Sequence, residues 1–398
     1  MNRSIVLFSA LFAVARAAAG DDDAQITFTT TDTNGEPTLL WRVQAVPGAA
    51  LQPVNPQLDK LALFPGSDVG PITVSSDGFW YVFYSERFDA QSAGYPGLTL
   101  ARSDFTSVET VHVSGQTLHG EGGQAAVVAG GNAIVYTDSG GPHTTDLFLV
   151  TRDQGTNWQS PILLTAASTY DLHVSPVISP DGSKVAFEMS LNSDPYTGVA
   201  IGEVKLNATG FHVLVTKTNF PPAQWPSQEA HVPAYAPDGI LVFEADWSQE
   251  NGNDERIWRL PVGGQATLIT TAFGDDNSPA VLPDGRIVSL WLESPASPSL
   301  HEIKVMNADG ADYYMATSQA TLPGEIDDIG MGAGLMWAPI LAARATAGGV
   351  QISWPARFTN FVLQTAASVN GKWTSQAAAS NSVSIAATEA AQFYRLAH

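Results

Sequence analysis

The chain of 398 residues contains no cysteine. That removes disulfides, thiolate metal ligands and a Cys nucleophile from consideration. Basic residues are also scarce: 18 Lys and Arg stand against 39 Asp and Glu, a formal charge of −21 spread along the chain rather than gathered in a tail. Such a surface repels a phosphate backbone and an anionic membrane face, so nucleic acid is excluded as a partner and lipid headgroups are disfavoured. Cations, basic peptides and neutral ligands remain. No segment offers the roughly 20 apolar residues that a membrane-spanning helix needs.

The opening segment, MNRSIVLFSALFAVARAAAG, has a basic start at Arg3 and an apolar run interrupted by Arg16. It ends in the small residues Ala17, Ala18 and Ala19. This is the pattern of a secretory signal over 1–19, cleaved after Ala19, and the mature protein is expected to be exported, either periplasmic or secreted.

Four stretches share one pattern: VGPITVSSDGFWYVF, HVSPVISPDGSKVAF, HVPAYAPDGILVF and SPAVLPDGRIVSL. Each reads as a strand, an Asp-Gly turn and a second apolar strand. A degenerate copy, AAVVAGGNAIVY, carries Gly130-Gly131 at the turn. Short strands repeating every ~40–50 residues are the mark of propeller blades. Intact blades are expected at 68–117, 121–166, 171–217, 228–270 and 275–321. A sixth forms if 325–341 supplies the innermost strand and 26–56 the outer three. The expected fold is therefore all-β: a six-bladed propeller over 20–341 closed by joining its N- and C-terminal strands, followed by a small β-sandwich over 342–398. The turn residues Asp77, Asp181, Asp238 and Asp284 are expected to be structural, in two-residue hairpins whose positive φ Asp tolerates and Gly accepts.

The SPDG turn followed by a VAF-type strand resembles the TolB-type repeat, found in periplasmic TolB and in the propellers of prolyl-oligopeptidase-type enzymes. The resemblance covers about residues 25–341 and implies a WD-like propeller. TolB adds an α/β domain before its propeller, whereas here the first blade follows the signal directly. The peptidases need an α/β-hydrolase domain with a G-x-S-x-G serine, and this sequence has no such motif. TRDQGTNW (Thr151 to Trp158) resembles the Asp-box of sialidase-type propellers, which implies a structural hairpin built on Asp153 and Trp158. Beyond Ala342, strands alternate with Gly, Asn and Ser turns and end in FYRL. This resembles the fibronectin- or immunoglobulin-like C-terminal modules of exported bacterial proteins, with Trp354, Phe361, Leu363, Trp373 and Phe393 as its expected core.

Where innermost strands begin, a carboxylate stands two residues from a His or Asn: His119 and Glu121, Asp171 and His173, Glu229 and His231, Asp275 and Asn277. Residues two apart on a strand share a face, so these pairs are expected to converge at one mouth of the channel. One reading is a structural acidic ring. A second is a ligand site, with a divalent cation (Zn, Mn or Ca) held by His173, His231, Glu121 and Glu229. Asp68 and Asp327–Asp328 would extend the ring. Tyr84, Tyr170, Trp225, Trp247 and Trp291 are candidates for stacking on sugars or peptide side chains, or for packing between blades.

Two function classes follow. The first is an exported, monomeric scaffold that binds a protein, peptide or glycan at the channel mouth, with no catalytic residue. The second is a metal-assisted polysaccharide lyase or hydrolase, since the His–acid pairs resemble the metal site of oligogalacturonate lyases with TolB-like propellers. The signal assignment predicts that the exported protein begins at Gly20. Intact-mass analysis of protein recovered from the periplasm or medium checks this, and an N-terminus still at Met1 refutes it.

Overall fold

The computed structural model divides into two compact units, Ala24–Met336 and a smaller one made of Met1–Asp23 with Trp337–His398. In the larger unit it describes residues 24–31, 37–64, 70–92, 95–103, 105–120, 124–153, 157–191, 198–220, 229–246, 255–261, 263–270, 274–282, 284–292, 301–318, 320–322 and 325–328. In the smaller unit it describes 6–7, 342–346, 349–353, 362–366, 372, 374–376, 382–386 and 393–397.

The larger unit is a six-bladed β-propeller, each blade an antiparallel four-stranded sheet in simple up-and-down order. Blade one runs Thr73–Val74, Trp80–Ser85, Gly97–Arg102, Val108–Thr110. Blade two runs Ala125–Val127, Ala133–Asp138, Asp146–Thr151, Ile162–Leu163. Blade three runs Leu172–Ile178, Lys184–Ser190, Ala200–Lys205, His212–Val215. Blade four runs Ala230–Tyr235, Leu241–Asp246, Glu255–Leu260, Thr267–Leu268, and blade five Asp275–Val281, Ile287–Leu292, Glu302–Met306, Tyr314–Met315. Blade six is composite. Ile326–Asp328 pairs with Gln25–Thr31, which continues through Pro37–Gln44 to Gln52–Pro53. The first and last strands of this unit thus close the ring, and the inner edge of Gln25–Thr31 is paired.

The hairpins differ from the two-residue loops expected. In blade three strand pairing stops at Ile178↔Val185, and Gly182 N–H bonds the Ser179 carbonyl at 2.8 Å. The left-handed residue is the glycine alone: Gly78, Gly182, Gly239 and Gly285 have φ of +69° to +88°, while no turn aspartate does. Each aspartate instead accepts the amide two residues on, as Asp77 from Phe79, Asp181 from Ser183, Asp238 from Ile240 and Asp284 from Arg286. Asp77 also accepts the Gly130 amide of the next blade at 2.8 Å. In the TRDQGTNW hairpin Asp153 accepts the Asn157 amide at 3.1 Å, and Trp158 is buried beneath the Arg152 guanidinium, 4.4 Å from its ring centroid.

The core is a set of seams between blades rather than one mass. Tyr81, Phe83 and Leu40 join blades six and one, Val82, Tyr136 and Trp158 join one and two, and Val135, Phe187 and Leu147 join two and three. Phe220, Phe243 and Trp258 belong to the seam of three and four, and Val242, Ile287 and Met306 to that of four and five. Between five and six, Arg286 bonds both the Ala45 carbonyl and the Tyr314 hydroxyl.

In the smaller unit Ala342–Thr346, Gly349–Ser353 and Ser382–Ala386 form one sheet. A second contains Phe393–Ala397, Val362–Ala366 and Thr374–Ser375, with Val6–Leu7 of the signal-like segment paired against Phe393 and Tyr394. Leu363 is buried, whereas Trp354, Phe361 and Trp373 lie outside the described residues.

Closure is the fold's testable element. Ile326 is 2% exposed at the joining strand. Ile326→Ala should cost about 2–5 kcal/mol, read as a lower urea midpoint with an unchanged slope. A midpoint equal to wild type would show that this strand does not carry the ring.

Candidate functional site

Three consecutive innermost strands share a local break. Regular pairing is interrupted after Val174 in blade three, after His231 in blade four and after Asn277 in blade five. The next residue in each, Ser175, Val232 and Ser278, is left-handed (φ of 53°, 38° and 47°), and a proline follows. A left-handed non-glycine residue costs roughly 1–2 kcal/mol, and an acceptor from the preceding blade supports each one. Gln124 Oε1 takes the Ser175 amide at 2.5 Å, Glu188 the Val232 amide at 3.1 Å and Glu244 the Ser278 amide at 2.7 Å.

This break sets the register, and it separates the expected channel residues. Val174, His231 and Asn277 are equivalent, and all are partly exposed. One residue earlier the chain turns to the opposite face, where His173, Ala230 and Asp276 are all 0% exposed. Glu229 and His231 therefore match Asp275 and Asn277, but the Asp171/His173 pair is one residue out of step. His173 contacts Thr145, Ser168 and Asp146, whereas His231 contacts Glu188 and Glu229. His119 is not on an innermost strand either. It bridges Gly97 in blade one and lies against Tyr95, with Nδ1 3.2 Å from the Pro96 carbonyl. Glu121, Asp68, Trp225 and Trp247 fall outside the described residues, as do the side chains of Asp327 and Asp328. Tyr84 is a core residue of the seam between blades one and two, and Tyr170 packs against the seam of two and three.

What the structure does gather around blades four and five is acidic. His231 Nδ1 is 3.4 Å from Glu188, and its Nε2 is 4.0 Å from Glu229. Glu229 accepts the Gly198 amide at 2.9 Å, and Asp275 accepts the Glu255 amide at 2.6 Å. Burial, and then the nearby Glu255, push the Glu244 carboxyl well above the usual carboxylate range, against the opposing pull of the Ser278 amide and His231. Behind this face, Asp276 forms a buried pair with Lys304 at 2.8 Å and accepts from Ser289 at 2.9 Å.

A second cluster went unread in the sequence because His143 lies in a loop outside the repeat. One ligand-type atom from each of His143, Asp146 and His173 lies within 4.8 Å of the other two. His143 Nδ1 is 2.7 Å and His173 Nδ1 3.6 Å from the same Asp146 oxygen, which also accepts from Thr165 at 2.5 Å. His173 Nδ1 bonds the Thr145 carbonyl at 2.8 Å, so that nitrogen carries the proton, and Nε2 accepts from Ser168 at 2.7 Å. Burial would raise the Asp146 carboxyl, but bonds from Thr165 and His143 outweigh it and hold the group below its ordinary range. Burial depresses His173, only partly opposed by the Thr145 carbonyl and the Asp146 charge. A buried ionised carboxylate and a neutral imidazole stand side by side.

Among solved structures, the chain is similar to TolB from Acinetobacter baumannii, with a TM-score of 0.55 and 15% identity over 77% of this chain and 66% of that one. It is also similar to a puromycin-hydrolyzing peptidase of Mycobacterium tuberculosis (TM-score 0.45, 12% identity, 89% of this chain and 50% of that one). An oligogalacturonate lyase from Vibrio parahaemolyticus aligns at a TM-score of 0.42 and 14% identity, over 73% and 71%. The first likeness, at such low identity, establishes a six-bladed propeller related in fold to TolB-like proteins. The chain spans just under two thirds of that TolB chain. No protein-family model and no curated protein sequence matches it. Among the described residues, no helix is long and apolar enough to cross a membrane.

The buried cluster makes stability pH-dependent. A lowered His173 pKa favours the neutral ring in the folded state, so its contribution is complete above about pH 6.5 and is lost as pH falls below that. The lowered Asp146 pKa adds a second loss below about pH 4. Urea midpoints measured from pH 8 to pH 5 should fall for wild type and flatten for His173→Gln. Equal slopes for the two proteins would contradict this assignment.

Proposed function

We propose that this protein is an exported propeller scaffold that binds a protein, peptide or glycan at the channel mouth. The observation that carries the reading is the shared register of His231 and Asn277. Neighbouring innermost strands present them at one height on one face, with Glu229 and Asp275 two residues before them. Strands held by repeated bulges keep such groups rigid, which lowers the ordering cost of binding. The acidic surroundings suit a basic peptide or the hydroxyls of a neutral glycan, and a cation at Glu229 and His231 belongs to the same reading. The TolB-like fold and the signal-like N-terminus support a role outside the cytoplasm, and the C-terminal unit, read as a fibronectin- or immunoglobulin-like module, would serve for docking. A metal-assisted polysaccharide lyase or hydrolase built on the sequence-predicted pairs needs His173 and His231 on one face, and the register sets them on opposite faces.

The test is binding to a neutral-glycan array and a basic-peptide library, with wild type beside Glu229→Gln/His231→Ala. A ligand retained by wild type and weakened at least tenfold in the variant supports the site. Binding that the double substitution leaves unchanged, or none to either collection, counts against it.

A further inference from the structure

We propose that His143, Asp146 and His173 form a binding site for one transition-metal dication of the Zn²⁺ class, bridging blades two and three. This site is separate from the channel mouth, and the inference does not rest on the binding function.

The geometry is convergent. Two imidazole Nδ1 atoms approach one carboxylate oxygen, from a loop at His143, from the start of the third strand of blade two at Asp146, and from the first strand of blade three at His173. Two nitrogens and one oxygen favour Zn²⁺ or Co²⁺ over Ca²⁺ and Mg²⁺, which prefer oxygen alone. The supporting contacts are also those of a metal site. Thr165 donates to the carboxylate while accepting the Leu147 amide at 3.2 Å, and the His143 amide bonds the second carboxylate oxygen at 3.0 Å. Such outer contacts orient ligands.

One further observation points the same way. The loop crosses the carboxylate at Gly141, where a Cβ would lie 2.1 Å from Asp146 Oδ2. Only a glycine leaves that face of the group uncovered. Binding through His173 Nδ1 would move that ring's proton to Nε2. Ser168, which now donates to His173 Nε2, would accept from it instead. His143, 16% exposed, would turn its Nε2–H toward solvent and gives the ion its way in.

The ion should therefore stabilise the joint between the two blades. The experiment uses the full-length protein, stripped with chelator, desalted, and incubated with Zn²⁺, Co²⁺ or Ca²⁺ alone. The expected result is one Zn²⁺ per chain by elemental analysis, a melting temperature raised by several degrees with Zn²⁺ and not with Ca²⁺, and an intense visible absorption from four-coordinate Co²⁺. His143→Gln, at a partly exposed position that the fold should tolerate, and Asp146→Asn should each lose the Co²⁺ band. Glu229→Gln/His231→Ala should keep it. No Zn²⁺ or Co²⁺ retained by wild type overturns the proposal, as does a band that survives His143→Gln. Metal lost only in the Glu229/His231 variant also overturns it, and assigns the ion to the channel mouth instead.

Discussion

Everything in the larger unit depends on the antiparallel pairing of Ile326–Asp328 with Gln25–Thr31. A blade is a sheet with two apolar faces, and each face is covered only by a neighbouring blade. An open array would leave one face bare at each end, together with the edges of two sheets. Joining the chain ends removes both liabilities at once, and the seam residues Tyr81 and Leu40 then pack across the junction. Polar contacts follow the same line. Arg42 reaches from the composite blade to the Tyr81 hydroxyl at 2.8 Å, and Arg286 reaches from blade five to the Ala45 carbonyl at 2.9 Å.

Once the ring is closed, the bulges decide what the channel presents. A buried acid in a propeller invites a functional reading, yet Glu188 and Glu244 each have a backbone amide to satisfy in the next blade. An unpaired buried amide is costly, and each glutamate oxygen satisfies one. These two glutamates are therefore held in place by the fold. The residues left to meet a ligand are the partly exposed ones at and just before the break: Glu229, His231 and Asn277.

The architecture was legible because hairpins repeat in sequence. Pro-Asp-Gly before an apolar strand marks the same turn in three blades, and even Gly130-Gly131 keeps its place. The site was legible only in part. Counting carboxylate–histidine pairs assumes unbroken period-two alternation, and that assumption fails where blades differ by one residue. The better anchors were Pro176, Pro233 and Pro279, which follow the left-handed residue in these three bulged innermost strands. Aligned on them, His173 falls beside Asp276 and Ala230, on the hidden face. His143 and Asp146 carried a weaker signal, a three-residue spacing inside a loop, and nothing local linked them to His173, 27 residues beyond Asp146.

The misplaced pair has a role of its own. Asp171 accepts the Thr144 amide at 3.2 Å and its hydroxyl at 2.8 Å, while His173 holds the Thr145 carbonyl at 2.8 Å. Two residues that look like a channel dyad thus grip consecutive residues of the preceding blade. Because the chain of −21 charge can offer few cations for such joints, carboxylates such as Asp77, Asp171 and Glu229 accept backbone N–H groups or hydroxyls. The contrast with Asp276, which has Lys304, is instructive. Among the described residues, the side chains paired with Asp146 that can carry positive charge are two histidines, and burial depresses one of them. The carboxylate is thus met by the Thr165 hydroxyl, the His143 amide and an imidazole rather than by Lys or Arg, and that is what gives a dication at this joint its electrostatic reason.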